Sequence, residues 1–246
     1  MIVLSSVSND KIKKYIKLKN KKYRDMYGEF IVEGKHTVIE AFKAGLLKEL
    51  IVLEQDDFLL PVRTIYVTKE VINKISSVDT PQTVLGLCSK INYDNIKLGK
   101  RILVLDQLQD PGNLGTIIRS AVAFGIDSIV LSENTVDIYN PKVVRATQGM
   151  MFQVNIYKMN SDEIINTLKK IKIPLYGTLV DNGIEPKELS KKEKSSFALV
   201  MGNEGNGVRS EISMMCDKNL YIKMNDSVES LNVAIAASIL LYELGR

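Results

Sequence analysis

A chain of 246 residues, 45% hydrophobic and 25% charged with a net charge of only +4, has the composition of an ordinary soluble globular protein. That balance argues against disorder, and the two cysteines, Cys88 and Cys216, lie too far apart in mixed surroundings to suggest a disulfide framework. A single histidine, His36, removes multi-histidine zinc sites and disfavours a Ser-His-Asp triad, so no metal is expected.

The opening "MIVLSSVSNDKIKK" carries its charges after too short an apolar stretch, the reverse of a signal peptide. A reducing cytoplasm is the expected compartment. From Asp10 to Arg24, "DKIKKYIKLKNKKYR" interleaves basic residues with Tyr15, Ile16, Leu18 and Tyr23. Such a segment is either a solvated helix face or the electrostatic footprint of a nucleic-acid binder. On the second reading its contacts are Lys11, Lys13, Lys14, Lys21, Lys22 and Arg24.

"EFIVEG" then reads as a strand, "KHTVIEAFKAG" as a helix stopped by Gly45 with His36 an ordinary helix-start residue, and "LKELIVLE" as the next strand. "TIYVT", the helical "KEVINKISS", the turn "DTPQ" and the strand "TVLGLCS" complete a compact α/β unit. Apolar density drops in "NYDNIKLGK", which reads as a linker. The division is therefore a domain over 1–93, a linker over 94–99 and a second domain over 100–246.

The second series starts with the strand "RILVLDQ", the loop "LQDPGN", the helix "LGTIIRSAVAFG" and the strand "DSIVLSE", a βαβ unit of the kind that binds ligands beyond the carboxyl ends of its strands. Further units follow through "PKVVRATQGMMFQVNIYK", "SDEIINTLKKIKIPLYGTLV" and "SFALVMGNEGNGVRSEISMMCDKNLYIKM". A closing helix starts near Ser230. Its tract "LNVAIAASILLYEL" is shorter than the roughly 18 to 20 residues of a membrane span and reads as a buried helix.

Three loops of this half carry polar residues. In "DPGNLGTIIRS", Gly112 and Gly115 permit a tight turn, Asn113 offers both donors and acceptors, and Arg119 is either a surface residue or a charge aimed into a site. "MGNEGNG" has a glycine spacing that matches no phosphate-binding fingerprint, and Glu204 would repel a phosphate; read by itself it is equally a turn whose Asn206 caps a following helix. In "IKMNDSVESLNVAIAA", Ser227 or Ser230 is placed to cap the last helix.

Taken in order, N-x-G-x(3)-R after a strand, then "MGNEGNG", then I-x-M-x(6)-S-L-N-V-A resemble the three signature motifs of the SpoU/TrmH RNA methyltransferases of the SPOUT class. "YGEFIVEGKHTVIEAFKAG" and "TPQTVLGLC" are similar to the small L30e-like substrate-binding domain that many members carry. The resemblance implies an L30e-like α/β domain followed by a SPOUT α/β domain with a carboxy-terminal trefoil knot. It implies methyl transfer from S-adenosylmethionine to a ribose 2′-hydroxyl, of ribosomal RNA in view of the basic leader, with transfer RNA as the alternative. It implies a homodimer formed through the catalytic domain.

Carried over by position, the resemblance makes Gly202, Ile222 and Leu231 cofactor-binding residues, with Thr178 and Leu179 beside them. Catalytic roles fall on Arg119, Asn113, Glu204, Ser230 and Asn232. Family proposals make Arg119 a general base; a guanidinium pKa above about 12 favours a clamp on phosphate and developing alkoxide. A Rossmann-type oxidoreductase and a non-catalytic RNA-binding member are the rivals. The glycine spacing argues against the first, and the presence of Arg119, Glu204 and Asn232 against the second.

Overall fold

The computed structural model describes residues 3–91 and 96–245. The expected linker over 94–99 therefore begins outside the described residues. The chain divides into two compact units, Met1–Asn92 with Asp137–Gln153, and Tyr93–Val136 with Val154–Arg246.

In the first unit the elements are β1 (Val3–Leu4), α1 (Asp10–Lys17), α2 (Lys21–Tyr27), β2 (Glu29–Glu33), α3 (Lys35–Lys43), β3 (Leu47–Leu53), β4 (Arg63–Val67), α4 (Lys69–Ile75) and β5 (Val84–Ser89). The basic leader forms two short helices, because Asn9 and Asn20 each cap a new start through a side-chain oxygen and Gly28 ends the second at φ 62°. The strands order as β1-β4-β3-β5-β2, with β1, β4 and β3 parallel and β5 antiparallel to both its neighbours. Ile12, Tyr15 and Leu18 from the leader and Val71, Ile72 and Ile75 from α4 pack on Ile51, Ile65 and Leu85 of the sheet. The apolar residues between the lysines are thus a core face, and the lysines its wet side.

The second unit begins with β6 (Arg101–Leu105), α5 (Pro111–Ala123) and β7 (Ser128–Ser132). The chain then supplies residues 137–153, including α6 (Pro141–Ala146), to the first unit. There Phe30 meets Tyr139 at 4.7 Å and Phe152 at 6.3 Å between ring centroids, and Gln153 Nε2 donates to Glu40 at 2.7 Å. Arg24 is 3% exposed and donates to Asp137 at 2.8 Å and to the carbonyls of Leu18 and Lys19 at 2.9 and 2.7 Å. Strand alternation along the sequence carries no sign of this excursion.

The chain returns with β8 (Asn155–Met159), α7 (Ser161–Lys170), β9 (Leu175–Thr178), α8 (Lys191–Ser195), β10 (Phe197–Met201), α9 (Ser210–Ser213), β11 (Lys218–Leu220) and α10 (Val233–Gly245). All pairings in the sheet β11-β9-β10-β6-β7-β8 are parallel, and β6, β7 and β10 are near-continuous apolar runs, as burial on both faces requires. Ile102, Val104, Val130, Ala198 and Val200 pack on Ile164 and Leu168 of α7 and Ile212 of α9.

The last helix starts at Val233, three residues beyond the expected point, and it is not wholly buried. Ile235, Ile239 and Tyr242 are 53%, 37% and 44% exposed and form one stripe. The helix packs on α5, where Ser120 and Ser238 share a hydrogen bond of 2.7 Å, and at the edge of the stripe Tyr242 meets Phe124 edge to face.

Candidate active site

A parallel sheet delivers every strand-to-helix loop to one edge. The pairings Leu220 with Thr178, Met201 with Leu105 and Leu105 with Leu131 set the strand ends in a row, so the loops after β6, β9, β10 and β11 leave side by side. The site residues expected in the second half lie on these loops, on their approach to α10 or on α5, with Thr178 closing β9.

The glycine loop after β10 folds back on itself. Asn203 and Gly207 exchange both backbone hydrogen bonds at 3.0 Å, and Asn203 Oδ1 accepts from the amides of Gly205 and Asn206 at 2.9 and 3.3 Å. A Cβ at Gly202 would overlap the carbonyl of Gly207 and the amide nitrogen of Val208, so position 202 admits no side chain. The close approach glycine permits there is that of the loop's own return. The helix after it, α9, has Arg209 at its N-cap with no side-chain cap bond, so Asn206 does not cap it.

Glu204 stands at the tip of this loop and reaches the start of α5. Its carboxylate accepts from the backbone N–H of Gln109 at 3.4 Å and of Asp110 at 3.3 Å, and from Asn113 Nδ2 at 3.2 Å. These are long bonds, but all three donors converge on the positive end of a 13-residue helix, where an anion is stabilised. The glutamate that repels a phosphate in this loop is thus itself the anion at that helix end.

Asn113 sits in the first turn of α5, with its amide N–H on the N-cap Asp110 at 2.7 Å. Its Oδ1 accepts from Asn232 Nδ2 at 2.9 Å. Asn232 Oδ1 in turn accepts from the amides of Ala234 and Ile235 at 2.9 and 3.3 Å and so caps α10, the role expected of Ser227 or Ser230. Glu204, Asn113 and Asn232 therefore form one hydrogen-bonded string, and each of the three motif loops supplies one member.

Two pairs that sequence reasoning missed hold this string in place. Arg209 grips Asp106, 1% exposed at the end of β6, through two bonds of 2.7 and 2.9 Å, and donates to Ser161 at 2.8 Å. Asn203 Nδ2 donates at 2.9 Å to the carbonyl of Gln107, which holds φ 62°. An acid directly after a buried strand and an arginine just beyond a glycine loop were the available signals.

Arg119 is exposed on α5 and, among the described residues, makes no side-chain hydrogen bond or ion pair. It lies on the stripe Gly112, Thr116, Arg119 and Ala123, all exposed, and directly precedes Ser120 at the seam with α10. Ser230 is also exposed and is not part of the string. Thr178 hydroxyl donates to the carbonyl of Val200 at 3.1 Å, and the Leu179 amide donates to that of Leu220 at 3.0 Å. Leu179 and Val180 are 41% and 59% exposed, while Ile222 and Leu231 are half-buried. Apolar side chains left uncovered at the polar end of the sheet suit the walls of a nucleoside site.

In the first unit most of the expected RNA contacts are already paired. Lys11 meets Glu49 and Lys14 meets Glu29, each at 2.6 Å; Lys21 pairs with Asp25, and Lys13 reaches Asp10 at 3.4 Å. Burial pushes the Glu29 carboxyl up, but its bonds to Lys14 and Lys48 outweigh this and hold it below the usual glutamate range. Lys22 lies over the Tyr23 ring at 5.9 Å. Arg24 is enclosed by Asp137 and two carbonyls and does not reach the surface. Among the described residues no three His, Cys, Asp or Glu side chains are grouped to hold a metal, and no helix is long and apolar enough to cross a membrane.

Comparison with known proteins agrees with this geometry. The SpoU rRNA Methylase family matches residues 100–242, and the MRM3-like substrate binding domain matches residues 9–86. The 23S rRNA (guanosine(2553)-2′-O)-methyltransferase RlmP of Bacillus subtilis is 36% identical, with 98% of each chain covered. The AdoMet-bound rRNA methyltransferase from Sinorhizobium meliloti superposes with a TM-score of 0.88 at 29% identity, covering 99% of this chain and 97% of that one. The SpoU methyltransferase AviRb from Streptomyces viridochromogenes, in complex with AdoMet, gives 0.84 at 25% identity, covering 96% and 97%. Fold and site define an S-adenosylmethionine-dependent RNA methyltransferase. The chain belongs to the SpoU rRNA methylase family.

Proposed function

We propose that the protein transfers a methyl group from S-adenosylmethionine to a ribose 2′-hydroxyl of large-subunit ribosomal RNA, on a guanosine as in the relative from Bacillus subtilis. The observation that carries the reading is the string Glu204, Asn113, Asn232, which ties three loops separated by about half the chain into one polar cluster; Arg119 lies six residues beyond Asn113 on the same helix.

The cofactor supplies an electrophilic methyl on a sulfonium cation and carries no phosphate. Gly202, Ile222, Leu231, Thr178 and Leu179 would hold it at the strand ends, where Leu179 and Val180 already stand uncovered. Transfer needs oxygen, carbon and sulfur nearly in line, so positioning supplies much of the acceleration. Asn113, Glu204 and Asn232 set the shape of the pocket through one another, and Ser230 adds a free hydroxyl at its rim. Arg119, with its fork unoccupied, binds the RNA phosphate and steadies the alkoxide that forms as the hydroxyl loses its proton.

The same reading makes the protein a cytoplasmic homodimer with the trefoil knot of its class. A dimer is supported by the apolar stripe of Ile235, Ile239 and Tyr242, which flanks the same seam as Arg119. Ribose methylation of 23S rRNA mapped in cells with and without the gene tests the function. One 2′-O-methyl group absent from the deletion strain is the expected result; an unchanged map would falsify the reading.

A further inference from the structure

The first unit holds a wide cavity of about 850 Å³ that none of the expected RNA contacts touches. Its walls are the start of α3, the turn over 77–83, and the end of α6 with Gln148 beyond it. The turn is fixed by Glu33, whose carboxylate accepts from Ser76 Oγ at 2.9 and 3.0 Å and from the Gln82 amide at 2.9 Å. At the rim, Asp56 is taken up by Thr83 at 2.5 Å and Lys35 at 3.1 Å. Lys35 offsets the charge of Asp56, the Glu33 carboxylate is engaged by neutral donors that fix the turn, and Asp79 is the other carboxylate on the wall.

Among the described residues that line the wall, one cation, Arg145, is left without a charged partner. Arg145 and His36 are exposed and, among the described residues, neither side chain makes a hydrogen bond or ion pair. Arg145 stands in the last turn of α6, and Gln148 lies just beyond the helix end. Gln148 is held at φ 50°, a conformation that costs a residue with a side chain, and its Nε2 donates to the Arg145 carbonyl at 3.1 Å. Gln153, bonded to Glu40, secures the far end of the segment. An exposed, unpaired guanidinium at the end of a helix has the geometry for two parallel bonds to a phosphate, and Gln82 and Gln148 add amides that both donate and accept.

Resting on the RNA reading above, we propose that this cavity is the groove in which the first unit holds the RNA backbone, with Arg145 as its phosphate clamp. Arg145 lies within residues 100–242 that match the methylase family and outside the residues 9–86 that match the substrate-binding domain. The groove is thus completed by sequence belonging to the catalytic half, through the excursion of residues 137–153.

Anisotropy of a fluorescent 23S rRNA transcript, titrated with the full chain at several salt concentrations, tests this. Arg145→Glu is expected to weaken RNA binding by about tenfold or more and to flatten the salt dependence by about one phosphate contact, with calorimetric S-adenosylmethionine binding unchanged. Arg145→Ala is the milder variant should the charge reversal disturb folding, and it is expected to show the same loss of slope. Wild-type protein that methylates the transcript, together with Arg145 variants that bind it with wild-type affinity and slope, overturns the groove alone. Wild-type protein that neither binds nor methylates the transcript overturns the functional reading and the groove with it.

Discussion

In the second unit the polar residues of the three motif loops are bonded to one another and one arginine on α5 is left open; in the first unit most of the cations strung along α1 and α2 are bonded to carboxylates, and Arg145 is left open elsewhere. The contrast separates two kinds of sequence signal. A motif of mixed donors and acceptors describes a constellation, because Glu204, Asn113 and Asn232 can satisfy each other only when their loops meet. A run of lysines describes only a wet face, and pairing with Glu49, Glu29 and Asp25 decides how much of its charge remains available.

The largest expected effect tests the side of the contrast where charge is locked in place. Arg24→Ala leaves Asp137 without its cation and two carbonyls without a donor, and should lower stability by about 3 to 5 kcal/mol, read from denaturant unfolding. A loss below about 1 kcal/mol would show that residues 137–153 do not depend on this anchor. Gly202→Ala probes the opposite side. Its Cβ has only backbone to displace, so a cost of about 3 kcal/mol is expected together with lost cofactor binding in calorimetry.

The string itself can be sharpened by exchanging its donors. Asn113→Asp sets a carboxylate against Glu204 and should impair folding or activity, whereas adding Glu204→Gln restores a donor opposite an acceptor. A coupling of about 1 to 3 kcal/mol in the double-mutant cycle is expected. Additive effects would mean that the two side chains do not act on each other. The smallest effect falls on the lysine face. Lys13, exposed and only loosely paired with Asp10, should change stability by less than about 0.5 kcal/mol as alanine while reducing the salt dependence of RNA binding.

Much of the fold was legible because its signals are local. Apolar runs such as "RILVL" and "FALVM" become buried parallel strands, and the boundaries of most helices follow from Asn, Ser and Gly at their ends. The excursion of residues 137–153 was not legible, since Phe30, Arg24 and Glu40 meet their partners across more than a hundred positions. In the site, the members of the string were readable as candidates, but not the bonds between them. Arg24 was read as a surface cation, although its guanidinium is spent on Asp137 and two carbonyls. Arg145 carried no signal at all: it is one arginine in an unremarkable helix, and its meaning comes from the cavity it lines.

The claim that the motif loops build a pocket while Arg119 acts on the RNA is tested most directly by Arg119→Ala, with cofactor binding and methyl transfer to 23S rRNA measured on the same preparation. The account predicts S-adenosylmethionine binding at wild-type affinity and transfer reduced by about 10² to 10³, the scale of losing one preorganised charge stabiliser. Transfer at the wild-type rate with the fold intact would contradict it.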